Sequence, residues 1–442
     1  MKYSLIHCYT DKNKGDAAII IATTQLIRNV DREADISMFS TYGINDNRLK
    51  TDHNIIRPYA NRLFPGCFYE AEIPFNLKSD KFRVFTFLWI VIKSLLMLIS
   101  NNKLFLRSFL KKREVKAVNT FLESDMIISK GGSFLVTENS SLRQTLSLIR
   151  MLYPFLLARR YRKKIVIFSQ SLGPVEGKFN SWLFEKVLSK VDTIYLRESL
   201  CLDKYSSVRK ICSKTKCKII PDTAFYLKSE DNMTIPINID IDLTNIGYTL
   251  VDHDFKYIKN QSEVEKKRNI YKQSIIESMK YLIDTEDAII HIFPQVQVDI
   301  SFLGHNDMKI SKEIKEYFNN SKYEGKIYFY HENWTPIQLR NLYEKMDIFI
   351  GTRLHSVIFS LSVGTPSINI AYHGTKSQGI LSDIDNLADY VIDINTINKE
   401  KLLKIIKKLI DNKTEISQSL IVNIKSIQEK LDIAMSEIYE IE

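Results

Sequence analysis

The sequence predicts an α/β protein built from two doubly wound, Rossmann-like domains facing a cleft. Three observations carry that expectation. Short apolar runs alternate with segments of helical spacing in both halves of the chain, the pattern of βαβ units and parallel sheets. The length, 442 residues, exceeds what one hydrophobic core ordinarily serves. A polar stretch without sustained period, Lys228 to Leu243 with Pro236 inside it, reads as a linker between the halves. The domains are therefore expected at 1–235 and 236–442.

Composition narrows the class. Hydrophobic residues make up 45% and charged residues 26%, which excludes both a disordered chain and a polytopic membrane protein. The net charge of +10 is unevenly placed. Lys78 to Lys116 holds ten Lys/Arg against Asp80 and Glu114, and Arg143 to Lys164 holds seven with no acid, so the rest of the chain is mildly acidic. The first of these stretches is also the most apolar in the chain, which suits an anionic membrane surface better than nucleic acid. Cys8, Cys67, Cys201, Cys212 and Cys217 form no C-x-x-C pair or zinc spacing. The N-terminal apolar run is too short for a signal peptide. A reducing cytoplasmic location is the expectation, peripheral on the inner face of the membrane if the apolar stretch binds lipid.

In the first half, Tyr3 to Cys8 reads as a strand, Thr10 to Lys14 as a loop closed by Gly15, and Asp16 as the N-cap of a helix from Ala17 to Val30. Asp35 to Ser40 is a second strand. Within 45–117 the run Val84 to Ile99 contains sixteen residues and the single charge Lys93. That is shorter than a bilayer span requires, and a helix apolar on nearly all sides must be buried in protein or lipid. Two occupants stay open for it: an anionic membrane surface contacted by 82–116, or protein, either its own core or a partner in a homo-oligomer. Ser124 to Ser129 is the next strand, ending in Lys130-Gly131-Gly132-Ser133, where paired glycines let a backbone approach a ligand. A helix from Leu142 to Arg160, a strand Lys164 to Ser169, a loop from Gln170 to Pro174, a helix Phe179 to Ser189 and a strand Thr193 to Leu196 follow, the last delivering Arg197 to the same sheet edge as Gly131 and Gln170.

The second half opens with a strand at Gly247 to Val251 and a helix near Glu263 to Ile283. Strands at Ala288 to Phe293 and Ile327 to Tyr330 flank a helix from Asn306 to Phe318, and Thr335-Pro336 reads as an N-cap with proline at N1. Asn398 to Ile410 and Ser417 to Ile438 read as two terminal helices. The chemically dense stretch lies between. Met346 to Ile350 is a buried strand, Gly351-Thr352 ends it, and a helix runs from Leu354 to Val363, so Arg353 and His355 fall at a strand-to-helix turn. Such turns sit at the carboxyl edge of the sheet, where free N–H groups favour anions. Ser367 to Tyr372 is a further strand, His373 to Ser377 a loop, and Lys376 stands beside the next helix start. The forms Asp240-Ile241-Asp242, Asp252-His253-Asp254 and Asp383-Ile384-Asp385 occur without clustered partners, so no metal is expected.

The pattern Arg353-x-His355, a small-residue helix, Gly364-Thr365-Pro366, an apolar strand and Lys376-x-x-Gly379 resembles the polysaccharide pyruvyl transferase family. Asn13-x-Gly15-Asp16, Gln170-Ser171-Leu172-Gly173-Pro174, Arg197-Glu198-Ser199 and Pro221-Asp222-x-Ala224-Phe225 match its other motifs, while Ser133 stands where the family tends to have a third glycine. The resemblance covers roughly 1–40, 120–230 and 245–390. It implies a glycosyltransferase-B-like fold, phosphoenolpyruvate as donor substrate, no cofactor, and a sugar acceptor on a lipid-linked precursor. It further implies His355 as general acid, Lys376 as its catalytic partner, and donor binding by Arg353 and Arg197 with Leu354 and Ser377 beside them. Asn13, Gly15, Asp16, Gly131, Gly132 and Gln170 would line the cleft loops.

Elementary chemistry agrees with the residue types. A donor bearing a phosphate and a carboxylate needs fixed cations, for which Arg supplies a fork and Lys a point charge. Histidine can deliver a proton near neutral pH. The structural alternatives are that Arg353 pairs with a carboxylate, that His355 is a satisfied core histidine, that Arg197 pairs with Glu198, and that Asp16 merely caps its helix. The functional alternatives are a nucleotide-sugar glycosyltransferase of the same fold and a non-catalytic glycan-assembly protein.

Overall fold

A computed structural model describes residues 1–43, 46–66, 81–100, 108–229, 237, 239–255, 258–297, 307–372, 376–384 and 387–440, with the backbone alone for 81–87. Cys67, most of the polar stretch between the halves, Asn306, the loop His373 to Thr375 and Asp385 lie outside the described residues. The chain divides into two compact units, one of 1–11, 19–223 and 430–442, the other of 12–18 and 224–429. This differs from a single break near 235, because two of the boundaries fall inside helices, where composition gives no signal.

The first unit holds seven parallel strands: β1 (Lys2–Cys8), β2 (Asp35–Ser40), β3 (Arg62–Phe64), β4 (Met126–Ser129), β5 (Lys164–Gln170), β6 (Thr193–Leu196) and β7 (Lys216–Ile219). Their order is β3-β2-β1-β4-β5-β6-β7, so strand order reverses between β1 and β4, the topological switch point of a doubly wound sheet. β1, β2, β4, β5 and β6 are buried along nearly their whole length, as strands covered on both faces must be. The longer helices are α1 (Lys14–Val30, whose first five residues belong to the second unit), α2 (Lys81–Ile99), α3 (Lys112–Glu123), α4 (Leu142–Arg160) and α5 (Lys178–Leu188). Cys212 and Cys217 form a disulfide with Cα atoms 5.3 Å apart. A turn between a short helix, Ser206–Cys212, and β7 reverses the chain and brings the two together.

The apolar run at 84–99 is indeed helical, as α2, but it is not buried on all sides. Lys93, 4% exposed, bonds Glu114 of α3 at 3.0 and 3.1 Å. Ile90 and Met97 are buried beside it, whereas Leu88, Trp89, Val91, Ile92, Leu95 and Ile99 are exposed. Among the described residues no helix is long and apolar enough to cross a membrane.

The second unit holds six parallel strands, β8 (Thr244–Thr249), β9 (Ala288–Ile292), β10 (Ile327–Phe329), β11 (Ile348–Gly351), β12 (Ser367–Ala371) and β13 (Val391–Asp393), in the order β10-β9-β8-β11-β12-β13. Its switch point lies between β8 and β11, which pair through Gly351 and Thr249. The helices are α6 (Gln261–Glu286), α7 (Asp307–Tyr317), α8 (Pro336–Tyr343), α9 (Leu354–Leu361), α10 (Lys376–Ser382) and α11 (Lys399–Tyr439). Thr335 caps α8 in a capping box with Gln338. α11 is one helix of 41 residues where two were expected. Asp411 to Glu415 is polar but contains no Gly or Pro, so polarity there marks a solvated face and not a break.

Candidate active site

β11 runs out at Gly351, and the chain turns at Arg353, whose extended backbone (φ −91°, ψ 120°) makes it the N-cap residue of α9. Neighbouring hydroxyls fix this turn. Thr249 Oγ1 and Ser356 Oγ lie 2.6 Å apart, Ser356 Oγ donates to the Arg353 carbonyl at 2.6 Å, and Thr352 Oγ1 meets Tyr271 OH at 2.8 Å. Arg353 thus stands at the switch point between β8 and β11, where ligands of such sheets bind.

Its guanidinium is engaged by a carboxylate the sequence reading did not single out. Nε and Nη2 donate to Asp307 Oδ1 at 3.1 and 2.6 Å, and Nη1 donates to Tyr372 OH at 2.7 Å. Asp307 Oδ2 in turn accepts the backbone N–H groups of Gln295 and Val296 at 3.0 and 2.8 Å. Burial opposes the charge on Arg353, but the Asp307 carboxylate outweighs it, so the pKa is raised and the cation secured. Among the described residues, Asp307 and Tyr372 account for three of the five guanidinium N–H groups, leaving one on Nη1 and one on Nη2. Asp307 opens α7 and looks like a helix-start acid in sequence. Its pairing with a residue 46 positions away has no local signal.

His355 lies in the first turn of α9, and the residue packed on its ring comes from the far N-terminus. A Cβ built on Gly15 would lie 2.3 Å from His355 Nδ1 and 2.5 Å from Cγ. No side chain fits there, so glycine is required by close approach. The loop holding Gly15 is tied to the second unit along its length. Asn13 bridges Val296, Lys14 N donates to Gln295 O at 3.2 Å, Gln297 N donates to Lys12 O at 3.1 Å, and the buried Lys14 Nζ donates to Asn333 Oδ1 at 2.6 Å. The segment 295–297 therefore supports both this loop and, through Asp307, Arg353. The motifs N-x-G-D and R-x-H meet in space.

The capping assignment at this loop changes. α1 begins at Lys14, so Asp16 lies inside the first turn. Asn13 Oδ1 accepts Gly15 N at 3.2 Å, while Asn13 Nδ2 donates to Asp16 Oδ2 at 2.7 Å. Asn13 carries the capping role, and Asp16 orients it. Leu354 opens α9 half-buried; Lys376, half-buried, and Ser377, buried, open α10. Among the described residues no three His, Cys, Asp or Glu cluster as a metal site.

In the first unit the other expected residues line the carboxyl edge of β4, β5 and β6. Gly132, at φ +132°, takes a conformation L side chains rarely adopt, bridges Gln170, and accepts Ser171 N at 3.0 Å. A Cβ on Gly131 would sit 2.5 Å from the Ser169 carbonyl oxygen. Gln170 is wholly buried. Arg197 does not stand open at this edge. It is 3% exposed, donates from Nη1 to Asp222 Oδ2 at 2.7 Å and from Nε to Ser171 Oγ at 2.6 Å, and has Glu198 Oε2 at 3.5 Å. His7, which no sequence pattern marked, closes β1 at φ 65°, with Nδ1 2.9 Å from Ser129 Oγ and Nε2 3.0 Å from the Met151 carbonyl. Burial pulls its pKa down to about 3.

Residues 13–374 match the family described as polysaccharide pyruvyl transferase. The amylovoran biosynthesis protein AmsJ of Erwinia amylovora is 24% identical over 311 residues, 67% of this chain and 68% of that protein. Among solved structures, a putative UDP-N-acetylglucosamine 2-epimerase from Listeria monocytogenes aligns with a TM-score of 0.55 at 10% identity, covering 99% of this chain and 95% of that one. The glycotransferase of kitacinnamycin aligns with a TM-score of 0.53 at 11% identity, covering 99% and 98%. These structural likenesses establish a shared two-sheet, glycosyltransferase-B-like α/β fold.

Proposed function

Since this chain belongs to the polysaccharide pyruvyl transferase family, we propose that it transfers pyruvate from phosphoenolpyruvate to a sugar residue of a lipid-linked polysaccharide precursor, forming a cyclic ketal. The similarity to a protein of amylovoran biosynthesis supports an exopolysaccharide as the setting. The observation that carries the reading is the meeting of Gly15 and His355 beside the Arg353–Asp307 pair. It gathers an imidazole and an anchored guanidinium at the switch point of one sheet.

In this reading the two remaining N–H groups of Arg353 hold the donor anion, and Asp307 keeps the fork from turning. His355 delivers a proton to the enol carbon, Lys376 stabilises the charge that then develops on the adjacent carbon, and a sugar hydroxyl attacks that carbon. Phosphate leaves as a second hydroxyl closes the ketal. Of the two hydroxyl protons released, one balances the proton now in the methyl group and the other leaves on phosphate.

Phosphate release from phosphoenolpyruvate, measured against a panel of lipid-linked sugars in deuterated water, tests the reaction. Product carrying deuterium in its new methyl group is expected. In His355→Gln, turnover should fall about 10²–10⁴-fold with donor affinity retained, as for a lost general acid. In Lys376→Ala, both turnover and donor binding should fall. Near-normal turnover in His355→Gln removes that residue from the mechanism. A requirement for a nucleotide sugar in place of phosphoenolpyruvate assigns the chain to glycosyl transfer.

A further inference from the structure

The outward face of α2 has a composition that the reaction does not account for. Leu88, Val91, Ile92, Leu95 and Ile99 recur at helical spacing, are 38–71% exposed, and carry no charge among them; Trp89, 45% exposed, borders them. From Leu88 to Ile99 the stripe runs about 16 Å at the α-helical rise. The opposite face is fixed to the protein. Ile90 and Met97 are buried, Lys93 is locked to Glu114 of α3, and Tyr153 and Tyr161 of the α4 region donate to the carbonyls of Ser94 and Met97 at 3.1 and 3.2 Å. The helix is therefore anchored with its apolar side outward, the reverse of a soluble surface helix.

Among the described residues, the charges at the end of the stripe and over Lys111 to Lys116 are basic on the exposed side, while Glu123 stands exposed at the far end of α3. Arg160 donates to the carbonyls of Leu98 and Ile99 at 2.7 and 3.1 Å, which holds a guanidinium at the end of the stripe. On α3 and its N-cap, Lys111, Lys112, Arg113 and Lys116 are exposed, while Glu114, the acid among them, is buried against Lys93. A protein partner would need an apolar face to match the stripe and acids to match these cations. A membrane rich in anionic lipid supplies both, and peripheral binding that lasts requires both kinds of attraction.

We propose that α2 is a membrane-docking helix that lies on an anionic bilayer surface through Leu88, Ile92, Leu95 and Ile99, with basic residues of α3 and Arg160 at the lipid headgroups. The full chain should float with vesicles of phosphatidylcholine and phosphatidylglycerol and not with phosphatidylcholine alone. The bound fraction should drop severalfold in 0.5 M salt, taken as roughly a Debye length of 4 Å. Ile92→Asp/Leu95→Asp should weaken vesicle binding at least tenfold, and Arg113→Glu/Lys116→Glu should weaken it while leaving the stripe intact. Because all four side chains are solvent-facing, both variants should keep the wild-type melting temperature, which is checked in parallel. Wild-type protein that ignores anionic vesicles overturns the proposal. So does a wild-type dimer in sedimentation velocity that Ile92→Asp/Leu95→Asp converts to monomer without any change in vesicle binding, which would make the stripe an interface between copies.

Discussion

Arg197 and Arg353 each follow a parallel strand at the carboxyl edge of a sheet, and the two are held in opposite ways. Arg353 follows β11, next to the switch point of its sheet, while Arg197 follows β6, two strands away from the β1/β4 reversal. Around Arg197 stand two carboxylates, Asp222 bonded at 2.7 Å and Glu198 at 3.5 Å, so the cation is more than neutralised. Around Arg353 stand one carboxylate and one phenol, and Asp307 spends its second oxygen on two backbone N–H groups. A pair of this second kind is balanced one to one, whereas acid exceeds base around Arg197. The same residue type at the same kind of strand end is thus enclosed by excess acid in one unit and paired one to one in the other, where the proposed function has it receive the donor anion.

The largest effect expected from breaking this contrast is on stability. Arg197→Ala strands Asp222 and Glu198 in a buried site and should destabilise the protein by about 3–5 kcal/mol in denaturant unfolding. The milder Arg197→Lys, assayed for turnover, should leave the donor constant within a few fold; a tenfold rise there would make Arg197 a donor ligand and erase the distinction. Next in size, Gly15→Ala should push the His355 ring out of place. Turnover should fall about 10²-fold, the scale of a 1 Å misplacement, with little change in donor constant. Arg353→Ala should raise the donor constant roughly ten- to a hundredfold, the loss of one or two charge-assisted contacts. Its stability cost should be smaller than that of Arg197→Ala, because Asp307 keeps its two backbone donors.

The smallest effect concerns pH. Burial holds His7 neutral with a folded pKa near 3, well below its unfolded value near 6.5, so the unfolded chain binds the extra proton. Its contribution to stability is complete above about pH 6.5 and is lost as pH falls toward 3. His7→Asn, a residue that tolerates the left-handed backbone at this position, should remove about 1 kcal/mol of the loss seen over the first pH unit below 6.5. An unchanged acid limb would show that His7 is not the group being protonated.

The sequence by itself determined the strands and their alternation with helices, because buried parallel strands are apolar runs and their ends are punctuated by Gly, Pro and polar loops. Asp35 to Ser40 and Thr193 to Leu196 were legible to the residue for that reason. It also determined that Arg353 and His355 sit at a strand-to-helix turn, since Gly351-Thr352 ends one period and Leu354 begins another. Tertiary structure decided what those side chains touch. Asp307, Tyr372 and Gly15 reach the Arg353–His355 turn from distant parts of the chain, and such pairings leave no trace in local periodicity. Tertiary structure also decided that Arg197 is enclosed and that α2 turns its apolar side outward. An apolar run states how much surface must leave water, but its neighbours settle which face does, and here Lys93 and Glu114 hold the inward face while the outward one remains exposed.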